Sequence, residues 1–124
     1  MAKNIGVATA ASGCLQAWSS GDLDRTRSLL AEEVTFGGPL GSTRGADVYI
    51  EGIKGMVKMV ERADQHEVFV DGDDVCIIYD LVTKAPPARI PTAGWYKVRD
   101  GKITAVRAFF DPRPLVPAGA GETR

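Results

Sequence analysis

Residues 95–112 read "WYKVRDGKITAVRAFFDP", and the reading of this stretch decides the fold. Two apolar–polar alternations flank Asp100-Gly101, the signature of a strand, a tight turn and a returning strand. On the first strand Tyr96 and Val98 share one face, and Trp95 and Lys97 share the other. The turn then sets the second strand. A two-residue Asp-Gly turn would pair Val98 with Ile103 and drive Arg107 and Asp111 inward. A three-residue loop, with Gly101 in a left-handed bulge position, pairs Val98 with Lys102 and turns Val106, Ala108 and Phe110 inward. Burying an unpaired guanidinium costs several kcal/mol, so the three-residue loop is expected. Trp95 and Phe109 then lie on the outer face of the sheet. Aromatic residues gathered outside a sheet mark an interface, so a homodimer packed through that face is expected.

Working backward, the period of two begins near residue 64. "DQHEVFV" and "DVCIIYDLVT" read as two further strands, and "DGD" and "KAPPA" as their connections. The N-terminal half has helical spacing instead. Val7, Ala11, Cys14 and Trp18 form one stripe of a helix from Ile5 to Ser19. Asp22 caps a second helix running to about Glu32, with Leu23, Leu29 and Leu30 inward. "VTF" is a short strand, "GGPLGSTRG" (37–45) a turn, and "ADVYIEGIKGMVKMV" (46–60) a third helix. That helix buries Tyr49, Ile50, Ile53, Met56, Val57 and Val60, while Gly52 and Gly55 weaken it. Helices followed by a strand meander predict an α+β fold, a curved antiparallel sheet wrapped over three helices.

The chain has 124 residues, which suits one domain (1–124) with a core over about 5–112 and a Pro/Gly-rich tail from 113 to 124. A formal net charge of −1 argues against a nucleic-acid groove or a polybasic membrane patch. No apolar run is long enough to span a bilayer. "GVATAASGCL" resembles a lipoprotein cleavage site, but its flank carries only Lys3 and helical spacing continues through it, so a cytoplasmic chain is expected. Cys14 and Cys76, with the single histidine His66, lack metal-ligand spacing. Neither a metal nor a cofactor is expected.

The strand at 74–83 is apolar on both faces, and alternation leaves its orientation open. With the even face inward, Cys76, Ile78, Asp80 and Val82 line the interior and Asp80 is a buried carboxylate. With the odd face inward, Tyr79 lines it and Asp80 is solvated. Pairing across "DGD" sets His66 near Ile78 and diagonal to Asp80, within side-chain reach.

"AWSSGDLDRTRSLLAEEVTFGGPLGSTRGADVYIEGIKGM" followed by "WYKVRDGKITAVRAFFDP" resembles the nuclear transport factor 2 superfamily, in its SnoaL-like and ketosteroid-isomerase-like branches. The resemblance covers about residues 5–112. It implies a cone-shaped sheet closed by three helices around a deep apolar cavity, and a dimer in many members. The isomerase uses an aspartate base with a tyrosine and a protonated aspartate as donors. The matching positions here are Gly38, Cys14 and Gly94, which supply neither base nor donor, so steroid isomerisation by that route is rejected. The epoxide hydrolase branch needs an Asp–Arg–Asp set. One carboxylate falls on Ala108, the arginine on Ile78 and the other carboxylate on Asp80, a partial match that favours the even face inward.

Two functions follow as expectations. The first is an apolar cavity that binds a small hydrophobic ligand through Trp18, Cys14, Ile53, Ile78, Tyr96 and Phe110, with Tyr96 donating a hydrogen bond. The alternative is a cofactor-independent isomerase, cyclase or hydrolase with Asp80 as general acid/base and His66 beside it. Asp111 is read as an outer-face residue that fixes the tail.

Overall fold

The computed structural model describes residues 2–115. Within them the chain runs α1 (Ala2–Ser19), α2 (Leu23–Leu29), β1 (Leu30–Gly38), β2 (Gly41–Arg44), α3 (Ala46–Met59), β3 (Val60–Asp71), β4 (Asp74–Lys84), β5 (Pro87–Arg99), β6 (Lys102–Phe110) and a short 3₁₀ turn at Arg113–Leu115. The expected α+β plan holds: three helices lie against one curved, open sheet of order β2-β1-β6-β5-β4-β3. The sheet is mixed, because β1 runs parallel to β6 while every other pair is antiparallel. The expected tail from 116 onward lies outside the described residues.

The β5–β6 hairpin corrects the expected loop. Arg99 faces Lys102 and Val98 faces Ile103, so the connection is the two-residue Asp100-Gly101 turn. Both residues have positive φ, 54° and 77°, as a primed hairpin turn requires. The extra residue lies inside β6 instead: Lys97 faces Ala105, and Thr104 is skipped as a bulge. The consequence for the faces survives. Ile103 and Val106 are buried, Arg107 is exposed, and Trp95 and Phe109 are on the outer face. A bulge absorbs the odd residue as well as a longer loop does, and it bends the strand. Two register shifts along β3 and one along β1 add to that bending.

Local helix propensity loses to pairing at the end of α2. Asp22 caps it as expected, its carboxylate accepting from the Arg25 N–H at 3.0 Å. The helix stops at Leu29 rather than Glu32, because Leu30 is already paired with Ile103 of β6. The short "VTF" strand is therefore nine residues long. The "GGPLGSTRG" segment is a hairpin, in which Gly38 faces Gly41 across Pro39-Leu40. Similarly β3 starts at Val60, four residues before the pattern suggests.

The core lies between the helices and the odd face of β4. Val75, Ile77, Tyr79 and Leu81 are buried there. Ile90, Thr92, Tyr96 and Val98 of the neighbouring β5 are buried too, as are Ala11, Cys14, Leu15 and Trp18 of α1. The α3 stripe packs as expected, with Tyr49 buried and Ile50, Ile53, Met56 and Val57 half-buried.

Two glycines test this account by denaturant unfolding. Gly101 sits at φ +77°, a backbone conformation that L side chains rarely adopt, so Gly101→Ala should cost about 1–2 kcal/mol although the space around an added Cβ is open. Gly55 sits mid-helix with nothing within 4 Å of an added Cβ, so Gly55→Ala should stabilise by about 0.5–1 kcal/mol.

Candidate functional site

Between α1, α3 and the concave face of the sheet lies a cavity of about 290 Å³. Trp18 of α1 and Ile53 and Met56 of α3 form one wall; Tyr79, Leu81, Tyr96 and Phe110 form the sheet wall. The β1–β2 hairpin closes one side with Phe36, whose ring meets Tyr49 edge-on at 5.5 Å between centroids. Among the described residues, none that lines the cavity is charged. Hydroxyls, from Tyr49, Tyr79, Tyr96, Ser42, Thr43 and Thr92, are its polar equipment.

The three phenols are close enough to one another and to Cys14 to interact electrostatically. Burial, above all, raises the pKa of each far beyond that of an ordinary tyrosine. A hydrogen bond with Trp18 is the one influence pulling Tyr96 back. These groups are therefore fixed as neutral donors at physiological pH. Among the described residues the Tyr49 and Tyr79 hydroxyls have no hydrogen-bond partner. A buried phenol normally finds one, so the cavity holds donor capacity that its own walls do not use.

Two glycines make room for this aromatic lining. A Cβ at Gly94 would stand 3.0 Å from a Tyr96 ring carbon and 3.4 Å from a Tyr79 ring carbon. The two rings lean over the place where the isomerase resemblance puts a protonated aspartate. At Gly38 a Cβ would meet the Phe36 ring at 3.2 Å. So the position matching the catalytic base is likewise covered by an aromatic ring.

Of the expected lining residues, Trp18, Ile53, Tyr96 and Phe110 border the cavity. Cys14 does not: it is fully buried beneath that surface, and burial pushes its thiol up to about 12. Ile78 is corrected too. The odd face of β4 turns inward, so Ile78 lies on the outer face, 36% exposed. Tyr79 borders the cavity, as the odd-face-inward alternative for β4 has it, and Tyr49 and Phe36 join it without having been expected there. The signal for Tyr49 was its place on the same α3 stripe as Ile53 and Met56. Tyr79 depended on the orientation of β4.

That orientation also corrects the proposed catalytic pair. Asp80 projects from the outer face, away from the cavity, and so does His66. They do meet, with His66 Nε2 lying 3.0 Å from Asp80 Oδ2, because β3 bulges at His66 between Gln65 and Glu67. Arg89 bonds the same oxygen at 3.0 Å and reaches Asp64 at 3.2 Å, and Arg62 joins Asp64 at 2.9 Å. Hydrogen bonds from His66 and then Arg89 hold Asp80 below the ordinary carboxylate range. A poised general acid/base needs the opposite shift. The physical reason for the orientation is that Asp80 meets the Arg89 guanidinium and the His66 ring outside, while the described residues inside offer no charged partner. Asp111 accepts from the Arg113 backbone N–H at 3.0 Å and from its guanidinium at 2.6 Å. Among the described residues, no cluster of three or more His, Cys, Asp or Glu is placed to hold a metal ion.

Known proteins agree with this architecture. An NTF2-like protein of unknown function from Cytophaga hutchinsonii is 31% identical, with a TM-score of 0.76 over 88% of this chain and 93% of that one. An LEH-like epoxide hydrolase from M. tuberculosis shares the fold at 21% identity and a TM-score of 0.78, covering 89% and 86% of the two chains. A protein with a ketosteroid isomerase-like fold from Catenulispora acidiphila, solved in complex with trimethylamine, does so at 20% identity and a TM-score of 0.71, covering 82% and 85%. No curated protein matches the sequence. Residues 12–106 match the SnoaL-like domain family, and with a cone-like sheet over three helices the chain belongs to that family.

Proposed function

We propose that this SnoaL-like domain binds a small, neutral, largely apolar molecule whose oxygen acceptor takes hydrogen bonds from the cavity phenols. The observation that carries the reading is the lining itself: among the described residues it is made of aromatic rings and unused hydroxyl donors, with no charged side chain. A volume of about 290 Å³ is at the lower end for ligand pockets and suits a molecule of one or two rings. A ketone fits these donors. A carboxylate would have to shed its water with no cation in the cavity to replace it.

Binding rather than turnover is the reading the lining supports. Proton transfer needs a group that changes protonation near neutral pH, and the phenols and the Cys14 thiol are shifted away from that range. The epoxide hydrolase and the trimethylamine complex are ligand chemistries of other proteins with this fold. Here the first meets Ala108 where a carboxylate would stand, and the second would have ring faces but no counter-charge. We read the outer face, with Trp95 and Phe109, as a homodimer surface, since its aromatic residues are exposed together. The free thiols Cys14 and Cys76 fit a reducing compartment, in support of a cytoplasmic location. No helix among the described residues is long and apolar enough to cross a membrane.

Trp18 fluorescence provides the test, with methyl naphthyl ketone and the near-isosteric naphthoate as probes. The ketone should bind at least about tenfold more tightly than the anion, since an unpaired buried charge costs several kcal/mol. Equal affinity, or preference for the anion, would overturn the reading. Tyr96→Phe should weaken ketone binding by about three- to tenfold, the worth of one hydrogen bond. Gly52 borders the cavity with open space around an added Cβ. Gly52→Leu should therefore block binding while leaving the thermal midpoint unchanged or raised.

Ketone affinity should also be flat from about pH 5 to pH 9. The raised phenol and thiol pKa values keep those groups neutral throughout, so their donors are lost only in strong alkali. An inflection near neutrality in an affinity-versus-pH series would place a titrating group in the site.

A further inference from the structure

The cavity lining holds a polar group that the phenols do not account for. Thr43 of β2 stands opposite Phe36 of β1, and directly opposed residues of an antiparallel pair share a face. Phe36 turns its ring to the cavity, so Thr43 faces the cavity too and borders it. The residue is half-buried, but its Oγ1 is wholly buried and has no hydrogen-bond partner among the described residues. A hydroxyl left dry and unpaired is costly in a folded protein. Valine has nearly the same shape, suits a strand as well and carries no such cost.

Thr43 also stands apart from the phenols of the sheet wall. One row across the sheet runs Thr43, Phe36, Val106 and Tyr96, one residue from each of β2, β1, β6 and β5. Three steps between strands separate its ends, about 14 Å from backbone to backbone along the sheet. The curvature of the sheet and the inward reach of the side chains shorten that distance. They bring it toward the roughly 12 Å spanned by a para-substituted ring with an oxygen and a hydrogen bond at each end.

We propose that Thr43 is a specificity-determining residue and that the ligand is a neutral hydroxy ketone, with its ketone oxygen on the phenols and its hydroxyl on Thr43 Oγ1. This inference rests on the cavity reading above and adds the second polar end of the ligand. One staggered step about χ1 moves a threonine hydroxyl to a neighbouring position on Cβ, and so turns Oγ1 from its dry position toward the space that Thr43 borders. A hydroxyl suits this end of the ligand. The described residues that line the cavity bring no charge to meet an acid or an amine. An apolar end would leave Thr43 as unpaired as before.

Isothermal titration calorimetry with acetophenone and para-hydroxyacetophenone tests this, at about pH 6, where the phenol of the probe is neutral. The unaltered chain should prefer the hydroxy ketone about three- to tenfold, the worth of one hydrogen bond. Thr43→Val should bring that ratio of affinities to about one or below, and Thr43→Ser should keep the preference. Without ligand, Thr43→Val should raise the thermal midpoint, because it removes an unpaired hydroxyl. A chain that binds acetophenone with no preference for the hydroxy ketone, or with a preference that survives Thr43→Val, overturns the role of Thr43 and leaves the cavity reading standing. A lowered midpoint in Thr43→Val means that the hydroxyl is already paired, and overturns that role as well. Binding of neither ketone overturns the cavity reading and this inference with it.

Discussion

The orientation of β4 is the constraint on which the rest of the structure depends. Successive residues of a strand point to opposite sides, so Tyr79 and Asp80 cannot both face the cavity. The choice is governed by desolvation. An aspartate turned inward would leave water for a lining of rings and aliphatic groups with no cation to meet it, at a cost of several kcal/mol. Turned outward, it is met by His66 and Arg89, each at 3.0 Å. Tyr79 goes inward at little cost, since its ring is apolar and the residue lines the cavity. That single choice takes the titratable chemistry out of the cone and leaves phenols inside it.

The cavity's character then follows from packing. Tyr79 and Tyr96 lean over Gly94, and Phe36 leans over Gly38. In each case an aromatic ring covers a position where the isomerase resemblance places a catalytic carboxylate. At both glycines the ring of a neighbouring residue lies where a Cβ would stand. What remains, among the described residues, is a lining of rings and hydroxyls without charge. The sheet divides the protein's polar chemistry, with neutral donors on the concave face and ion pairs on the convex one.

Much of this was legible in the sequence, and the misses have physical causes. The α+β plan was readable because periodicity changes from helical to alternating at one place in the chain. The inward turn of Tyr96, Val106 and Phe110 was also readable, because burying Arg107 is costly whatever device avoids it. The device itself was not. A bulge at Thr104 and a longer loop at Gly101 satisfy the same pattern, and only backbone pairing separates them. The extra length of β1 was hidden because "AEE" favours a helix locally and is overruled by pairing of Leu30 with Ile103. For β4, "VCIIYDLV" is apolar on both faces, and its alternation carries no information. The outer partners of Asp80 decide it, and they come from β3 and β5. Tyr49 escaped notice for a related reason: a tyrosine on a buried stripe reads as core until the space beside its hydroxyl is seen.

The most direct measurement of this account is the titration of Asp80 by carboxyl-carbon NMR in the folded protein. A charge-free cavity with Asp80 paired on the convex face predicts a pKa below the ordinary aspartate value of about 3.9. A pKa raised above that value would mean a carboxylate desolvated inside the cone, and would contradict both the orientation of β4 and the neutral binding site built on it.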